Sequence, residues 1–345
     1  MKIFNPNEPG MANGTYFALP YTLGESEVAI VSVPWDVTTS YRSGTHKGPS
    51  SIIDASLQVD LYDPMVPDAW SVKIGSVPLD ETIEKRNKKY RKVAEQVISH
   101  IEEGGELSEV DDLLAEVNLA SQELNELIYK SCRDLVESGK ISAVVGGDHS
   151  VPLGNMRAVA DQYEDFGVLH IDAHADLRVA YEGFKYSHAS ILYNALSEIT
   201  QISQLTQVGV RDFCQEEAEF INTDSRIRCF TDMEIKRNAF EGKSWKKQCE
   251  DIVSSLPVNV YITFDIDGLS PDLCPNTGTP VPGGLNFREV DYLLYLLAIS
   301  NRRIIGFDLC EVAPGKGDEW DANVGARVLY KLCIYSSLNS KKQII

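Results

Sequence analysis

The chain has 345 residues, with 32 Lys or Arg against 51 Asp or Glu, which gives a formal net charge of −19. This balance argues against nucleic acid or an anionic membrane surface as a partner, and it would attract a cationic substrate. The seven cysteines are scattered without a Cys-X-X-Cys spacing, as in reduced cytoplasmic proteins. The first residues lack the apolar core of a signal peptide, and no stretch approaches a membrane span in length. We therefore expect a cytoplasmic protein.

Short apolar runs alternate with longer amphipathic segments along the chain. We expect strands at 28–33, 72–77, 141–145, 167–171, 205–210, 227–230, 258–265 and 303–309. We expect helices at 49–59, 83–103, 108–138, 153–163, 189–197, 216–221, 245–256, 287–299 and 323–336. This alternation predicts an α/β fold in which helices cover both faces of a mainly parallel sheet, a three-layer αβα sandwich.

Nothing in the sequence divides the chain into separate units. No linker, internal repeat or low-complexity segment is present, so we expect residues 1–345 to form a single domain. The acidic stretch 102–116, which contains Gly104 and Gly105, is expected to be a surface turn between two helices. Residues 1–27 form an N-terminal extension to which the sequence assigns no role.

Polar clusters follow three of the predicted strands. They are Gly146-Gly147-Asp148-His149-Ser150, Asp172-Ala173-His174-Ala175-Asp176 and Asp265-Ile266-Asp267. Side chains alternate across a strand, so every second residue of each cluster is expected to point to one place. In open α/β sheets the crevice beyond the carboxyl ends of the strands is where ligands bind, and Glu311 follows a fourth strand there.

The residue types in these clusters indicate a metal centre. Carboxylate oxygens together with neutral imidazole suit a hard divalent cation such as Mn²⁺, and neither aspartate-rich cluster contains a thiolate that would favour zinc. The candidate ligands exceed the needs of one ion, so we expect two ions that share carboxylate bridges. A pair of divalent ions activates water, and the chemistry expected of the site is hydrolysis.

Other common catalytic motifs are missing from the sequence. It contains no Gly-X-X-X-X-Gly-Lys loop, no Gly-X-Gly-X-X-Gly fingerprint and no Gly-X-Ser-X-Gly elbow. Nucleotide binding and a serine nucleophile therefore have little support. Gly146 and Gly147 are expected to permit a close backbone approach near His149.

Taken together, the motifs resemble those of the ureohydrolases, the arginase and agmatinase family. The matching segments are Gly-Gly-Asp-His-Ser (146–150), Asp-Ala-His-Ala-Asp (172–176), Asp-Ile-Asp-Gly-Leu-Ser-Pro (265–271), Gly-Thr-Pro-Val-Pro-Gly-Gly-Leu (278–285) and Asp-Leu-Cys-Glu-Val-Ala-Pro (308–314). The resemblance extends over about 28–338, with the catalytic motifs in 146–314. It implies the arginase-like fold, two Mn²⁺ per subunit, and a homo-oligomer, either a trimer or a hexamer.

The resemblance also implies a set of site residues. The ligands of one manganese would be His149, Asp172, Asp176 and Asp265. The ligands of the other would be Asp172, His174, Asp265 and Asp267, so that Asp172 and Asp265 bridge the two ions. Glu311 would orient the guanidinium of the substrate, and His188 would carry protons to the leaving amine. The reaction implied is hydrolysis of a guanidino compound to urea and an amine.

The substrate is less clearly indicated. The short loop that follows Asp176, with Arg178 near its start, resembles agmatinases, which convert agmatine to putrescine. In contrast, Gly209-Val210-Arg211-Asp212 resembles arginases, in which case Asp212 or a neighbour would recognise the head group of arginine. Arg178 could bind a substrate carboxylate, as in a guanidino acid, or form a structural ion pair.

Two alternatives from other classes stay open at this point. An inactive family member with a binding or regulatory role would usually have lost a ligand, and all six candidate ligands are present here. A deacetylase on the same fold would typically use one zinc and fewer carboxylates.

Overall fold

Eight parallel strands form one sheet in the computed structural model, which describes residues 4–341 and their side chains as far as residue 338. The strands are β1 (Val28–Val33), β2 (Ile74–Ser76), β3 (Ile141–Gly146), β4 (Phe166–Ile171), β5 (Ile202–Val208), β6 (Ile227–Phe230), β7 (Asn259–Phe264) and β8 (Arg303–Leu309). Their order in the sheet is β2-β1-β3-β8-β7-β4-β5-β6. Several strands are buried along their whole length, as expected of a sheet covered on both faces. The predicted fold class and all eight predicted strands are confirmed.

Helices cover both faces of this sheet. Among the described residues they are α1 (Gly48–Ser56), α2 (Glu81–Glu102), α3 (Asp111–Glu137), α4 (Leu153–Ala160), α5 (Ile191–Glu198), α6 (Gln215–Thr223), α7 (Asp232–Phe240), α8 (Trp245–Ser254), α9 (Phe287–Ile299) and α10 (Trp320–Lys341). One apolar cluster joins α1, α8, α9 and α10 to the sheet, and two others join α2 to α5 to its opposite face. None of these helices is long and apolar enough to span a membrane.

The sequence prediction missed helix α7. This helix buries only Ile235 well, so it lacks the apolar stripe on which helices are recognised. A signal is nevertheless present, because Thr231 caps the helix by accepting a hydrogen bond from the backbone N–H of Glu234. Such local capping, with little burial, is what makes the segment helical.

Part of the N-terminal extension belongs to the hydrophobic core. Tyr16 and Phe17 are buried, and the ring of Phe17 lies 5.2 Å from that of Tyr330 on α10. The backbone N–H of Phe17 donates to the hydroxyl of Ser56 at 2.7 Å. This segment therefore packs across α1 and α10, a tertiary contact that no local sequence pattern predicts.

The order of the strands brings the four polar segments together. β3, β8, β7 and β4 are consecutive in the sheet. His149 follows β3, Glu311 follows β8, Asp265 follows β7 and Asp172 follows β4. Because parallel strands end at the same edge, these four segments meet in one crevice, as the sequence predicts.

A buried ion cluster lies away from this crevice. The Nζ atom of Lys331, on α10, contacts Asp63 and lies 2.8 Å from Asp291 on α9. The hydroxyl of Tyr335 donates to the same carboxylate of Asp291 at 2.7 Å. These contacts join α9, α10 and the loop around residue 63, and an uncompensated charge here would be costly.

We expect Lys331→Met to lower the free energy of unfolding by about 3–5 kcal/mol, because it leaves the buried carboxylate of Asp63 without a cation and removes one of the two cations paired with Asp291. Chemical denaturation monitored by circular dichroism measures the change. Lys85→Met is the matched control, since Lys85 pairs with Glu81 on an exposed helix surface and should alter stability little. Equal stability of the two variants would contradict a structural role for the ion cluster.

Candidate metal centre and substrate cavity

The six candidate ligands lie together at the carboxyl ends of the strands, and we refer to them as the acidic cluster. They are His149, Asp172, His174, Asp176, Asp265 and Asp267. The Nδ1 atom of His149 is 3.0 Å from Oδ2 of Asp172, 3.0 Å from Oδ2 of Asp176 and 3.4 Å from Oδ2 of Asp265. This nitrogen therefore faces three carboxylates in one small volume.

The second half of the acidic cluster is built around His174. Its Nδ1 atom lies 3.2 Å from Oδ2 of Asp267 and 3.4 Å from Oδ1 of Asp172. Asp267 is held in place because its Oδ1 atom accepts a hydrogen bond from the backbone N–H of Ala173 at 3.1 Å. Asp172 thus contacts imidazoles of both halves, which is the position required of a bridging residue.

The predicted reason for this convergence was wrong, although the residues do converge. Strand β4 ends at Ile171 and β7 ends at Phe264, so strand alternation does not orient the aspartates. Asp176 instead has a left-handed backbone with φ of 55°, and its carbonyl accepts N–H groups from Leu192 and Tyr193 at the start of α5. Asp265 and Asp267 are joined by a single 3₁₀ turn. Turns and strained backbone, rather than extended strand, bring these carboxylates to one place.

The electrostatics of the acidic cluster favour a bound cation. Burial and the neighbouring carboxylates Asp267 and Asp172 raise the pKa of Asp265 well above its ordinary value. Burial and Asp172 raise the pKa of Asp176 to about 7. Burial opposes a positive charge on His149, but its hydrogen bonds to Asp172 and Asp176 raise its pKa well above normal. All three shifts reflect excess negative charge in a buried volume, and the oxygen and imidazole donors fit hard divalent cations.

Glu311 lies next to the acidic cluster in an unusual conformation. Its φ is 62°, a left-handed value rare for residues other than glycine. Its Oε1 atom accepts the backbone N–H of His149 at 3.0 Å. The side chain is buried, and the described residues offer no hydrogen-bond donor to its Oε2 atom. A buried carboxylate oxygen without a donor is costly, and a ligand with N–H groups would satisfy it.

A cavity of about 190 Å³ opens beside the acidic cluster. Its lining includes Ser40, His174, Asp176, Arg178, Tyr181, His188, Asp212, Phe213, Glu217 and Thr279. His188 is half-buried, and its ring packs edge-on against that of Tyr181, with centroids 6.1 Å apart. Burial and the nearby imidazoles of His174 and His149 lower the pKa of His188 to about 4, so its ring is neutral near pH 7.

Two of the three predicted substrate-binding residues, Arg178 and Asp212, line this cavity, whereas the third, Glu311, is not in its lining. Arg178 stacks over the ring of Tyr181 at 5.0 Å, and its Nε atom is 3.8 Å from Oε2 of Glu217. The carboxylate of Glu217 is buried and also accepts two backbone N–H groups. Asp212 is exposed, and no ion pair to it is found within residues 4–341. The structure thus gives Arg178 a partner on the protein and leaves Asp212 open to the solvent.

The close backbone approach predicted at Gly146 and Gly147 is confirmed. A Cβ atom on Gly147 would lie 1.9 Å from the carbonyl oxygen of Trp35, which is backbone and cannot easily move. A Cβ atom on Gly146 would lie 2.6 Å from Sγ of Cys310. The backbone leading to His149 is therefore packed against the segments that directly follow β1 and β8, which restricts the position of the imidazole.

Several residues around the site were not predicted from the sequence. His170 contacts Asp172 through its Nε2 atom at 2.8 Å, and Thr263 contacts Nε2 of His149 at 2.8 Å. The guanidinium of Arg211 donates to the carbonyls of Asp267 and other residues of the adjoining loop. A signal for the first two was available, because each is a polar residue inside an otherwise apolar strand.

Comparisons with known proteins identify similar sequences and a similar fold. A sequence profile described as the arginase family matches residues 26–335. An N(1)-aminopropylagmatine ureohydrolase from Synechocystis sp. is 28% identical over 93% of this chain and 92% of its own. An agmatinase from Bacillus anthracis is 28% identical over 84% of each chain. The crystal structure of agmatine ureohydrolase of Thermoplasma volcanium has a TM-score of 0.70 and 23% identity, covering 99% of this chain and 97% of the other. This structural similarity supports the fold.

We expect Gly147→Ala to destabilise the protein by about 1–3 kcal/mol and to weaken divalent-metal binding, because the methyl group would push the backbone before His149 away from Trp35. Gly24→Ala is the control, since the nearest atom to its added methyl group would be 3.9 Å away. Chemical denaturation and Mn²⁺ titration measure the two effects. Normal stability and normal metal binding in Gly147→Ala would refute the close approach.

Proposed function

This chain belongs to the arginase family, and on that basis we propose that it hydrolyses agmatine to urea and putrescine. The observation that carries the proposal is the acidic cluster beside a cavity, with the free carboxylate oxygen of Glu311 next to it. Hydrolysis of a guanidino compound to urea and an amine is the reaction supported by the relatives called agmatinase and aminopropylagmatine ureohydrolase.

We propose that the acidic cluster holds two Mn²⁺ ions per subunit. The first would bind His149, Asp172, Asp176 and Asp265. The second would bind Asp172, His174, Asp265 and Asp267. When bound, such a pair supplies Lewis-acid activation of a water molecule at neutral pH. Asp172, Asp176 and Asp265 crowd around one imidazole. This crowding supports the binding of two cations, because the positive charge of the cations would relieve the repulsion among the buried carboxylates.

The roles of Glu311 and His188 follow from what each side chain can donate or accept. Oε2 of Glu311 would accept N–H groups of the guanidinium and hold that planar cation against the acidic cluster. His188 lies at the cavity wall, and its ring would accept a proton and pass it to the departing amine. Tyr181 packs against the same ring and limits its orientation.

The rim of the cavity supports a substrate with a cationic distal end. Asp212 is exposed at the rim and would attract an amine, whereas Arg178 is engaged by Glu217 and Tyr181. N(1)-aminopropylagmatine is a second candidate, since it carries an amine and is named in three relatives. Arginine and guanidino acids stay as alternatives, in which Asp212 would bind the amino group or Arg178 the carboxylate.

We expect the manganese-loaded protein to release urea from agmatine faster than from arginine, guanidinobutyrate or guanidinopropionate at equal concentrations. The cationic distal amine and the exposed Asp212 are the physical reason. A urea assay with each compound measures the rates, and protein treated with a chelator is the control. Release of no urea from any compound would contradict the proposal. A preference for guanidinobutyrate would indicate that Arg178 binds the carboxylate of the substrate.

We expect His188→Ala to lower kcat by about 10²-fold or more, because a group that transfers a proton is lost. Metal content should stay at the wild-type value, since His188 is outside the proposed ligand set. His100→Ala is the matched control, because His100 contacts Glu106 and Glu109 far along the chain from the site. An unchanged kcat in His188→Ala would remove this residue from the mechanism.

We also propose that the protein is a cytoplasmic homo-oligomer, either a trimer or a hexamer. Exposed apolar side chains support self-association, with Met233 and Phe240 on α7 exposed to 74% and 87%. Light scattering after size exclusion measures the mass, and a monomer of 38.3 kDa would contradict this proposal.

A further inference from the structure

A line of four buried polar residues crosses the sheet directly beneath the acidic cluster, and we call it the polar row. Its members are Gln207 on β5, His170 on β4, Thr263 on β7 and Asp308 on β8, and each is the penultimate residue of its strand. The sheet register pairs His170 with Gln207 on one side and with Thr263 on the other. Asp308 lies beside Thr263, within hydrogen-bond distance. All four residues are fully buried, and each makes at least one side-chain hydrogen bond to another member of the row or to the acidic cluster.

Hydrogen-bond directions in one half of the row orient His149. The Oδ1 atom of Asp308 accepts the backbone N–H of Phe264 at 3.2 Å and the hydroxyl of Thr263 at 3.0 Å. Because the single hydroxyl proton of Thr263 is used in this way, its oxygen is an acceptor for Nε2–H of His149 at 2.8 Å. With its proton on Nε2, the neutral imidazole that a cation would bind has its lone pair on Nδ1 of His149, the atom that faces the carboxylates of the acidic cluster.

Hydrogen-bond directions in the other half orient His170. The Nε2 amide of Gln207 donates to the carbonyl of Ala175 at 2.8 Å, which fixes the amide orientation because a carbonyl can only accept. The same nitrogen lies 3.0 Å from Nδ1 of His170, so Nδ1 is the acceptor. The proton of His170 is then on Nε2, which donates to Oδ2 of Asp172 at 2.8 Å.

We propose that the polar row positions the side chains of the acidic cluster. The fixed tautomer of His149 directs the lone pair of its Nδ1 atom towards a cation, and the fixed tautomer of His170 holds the bridging carboxylate of Asp172 in one orientation. The inference rests on the proposed function, since it treats His149 and Asp172 as metal ligands. Carboxylates alone would favour a proton on Nδ1 of His149, and this proton would compete with a cation. Thr263 instead stabilises the tautomer whose Nδ1 is free to bind.

The row also explains how Asp172 keeps a fixed orientation once a cation is bound. In the structure Oδ2 of Asp172 is contacted by both His149 and His170. A metal-bound Nδ1 of His149 can no longer donate, so His170 becomes the imidazole donor left to this oxygen. When a residue that hydrogen-bonds to a metal ligand is removed, metal affinity or activity typically falls 10–100-fold.

The test compares Mn²⁺ binding to chelator-treated protein in four variants. Thr263→Val removes the hydroxyl at nearly constant shape, and Thr263→Ser restores it. Gln207→Met removes the partner of His170 without touching a proposed ligand. Thr206→Val is the matched control, because Thr206 is an equally buried threonine on β5 whose hydroxyl contacts Ser255 outside the row. Free Mn²⁺ is measured by electron paramagnetic resonance, and thermal unfolding without metal reports on folding.

We expect Thr263→Val and Gln207→Met to raise the Kd for Mn²⁺ by about 10–100-fold. Thr263→Ser and Thr206→Val should bind like the wild type. The proposal is overturned if both weakening variants fold and bind Mn²⁺ normally, or if Thr263→Ser binds as weakly as Thr263→Val. Because binding is measured without substrate, weakened binding in a protein that releases no urea would support the polar row while contradicting the proposed function.

Discussion

Repulsion among three buried carboxylates opposes folding at the centre of the crevice. Asp172, Asp176 and Asp265 each approach the same nitrogen of His149 to within 3.4 Å. Burial makes such an arrangement costly without compensating positive charge, so the fold must hold it by contacts made elsewhere. Three apolar clusters on the two faces of the sheet and the buried ion cluster around Lys331 supply that stability at a distance from the crevice.

The backbone around the crevice is strained at the positions that the chemistry needs. Asp176 and Glu311 both have left-handed φ values, which cost about 1–3 kcal/mol each in residues other than glycine. Each is held by specific contacts: the carbonyl of Asp176 accepts N–H groups of α5, and the backbone N–H of Glu311 donates to the carbonyl of Gly147 at 2.8 Å. The outcome is a set of carboxylates whose directions are fixed before a ligand arrives, which is what binding and catalysis require.

Much of this arrangement could be predicted from the sequence, and the exceptions have physical causes. Strands buried on both faces, such as β1 and β4, are continuous apolar runs, so these strands and the crevice at their ends were predictable from the hydrophobic pattern of the sequence. Asp172 and Asp265 could be named because each directly follows such a run. The strain at Asp176 depends on contacts with α5, and the contact of Phe17 with Tyr330 joins distant segments, so neither has a local signal. A single His170 inside a strand does not show which atom it will contact.

We propose that the acidic cluster binds two divalent cations that share Asp172 and Asp265, and anomalous diffraction can locate such ions. Crystals of chelator-treated protein would be soaked in Mn²⁺, and anomalous difference maps recorded on both sides of the manganese absorption edge. We expect two peaks, each within coordination distance of both aspartates. A single peak, or none in this crevice, would contradict it.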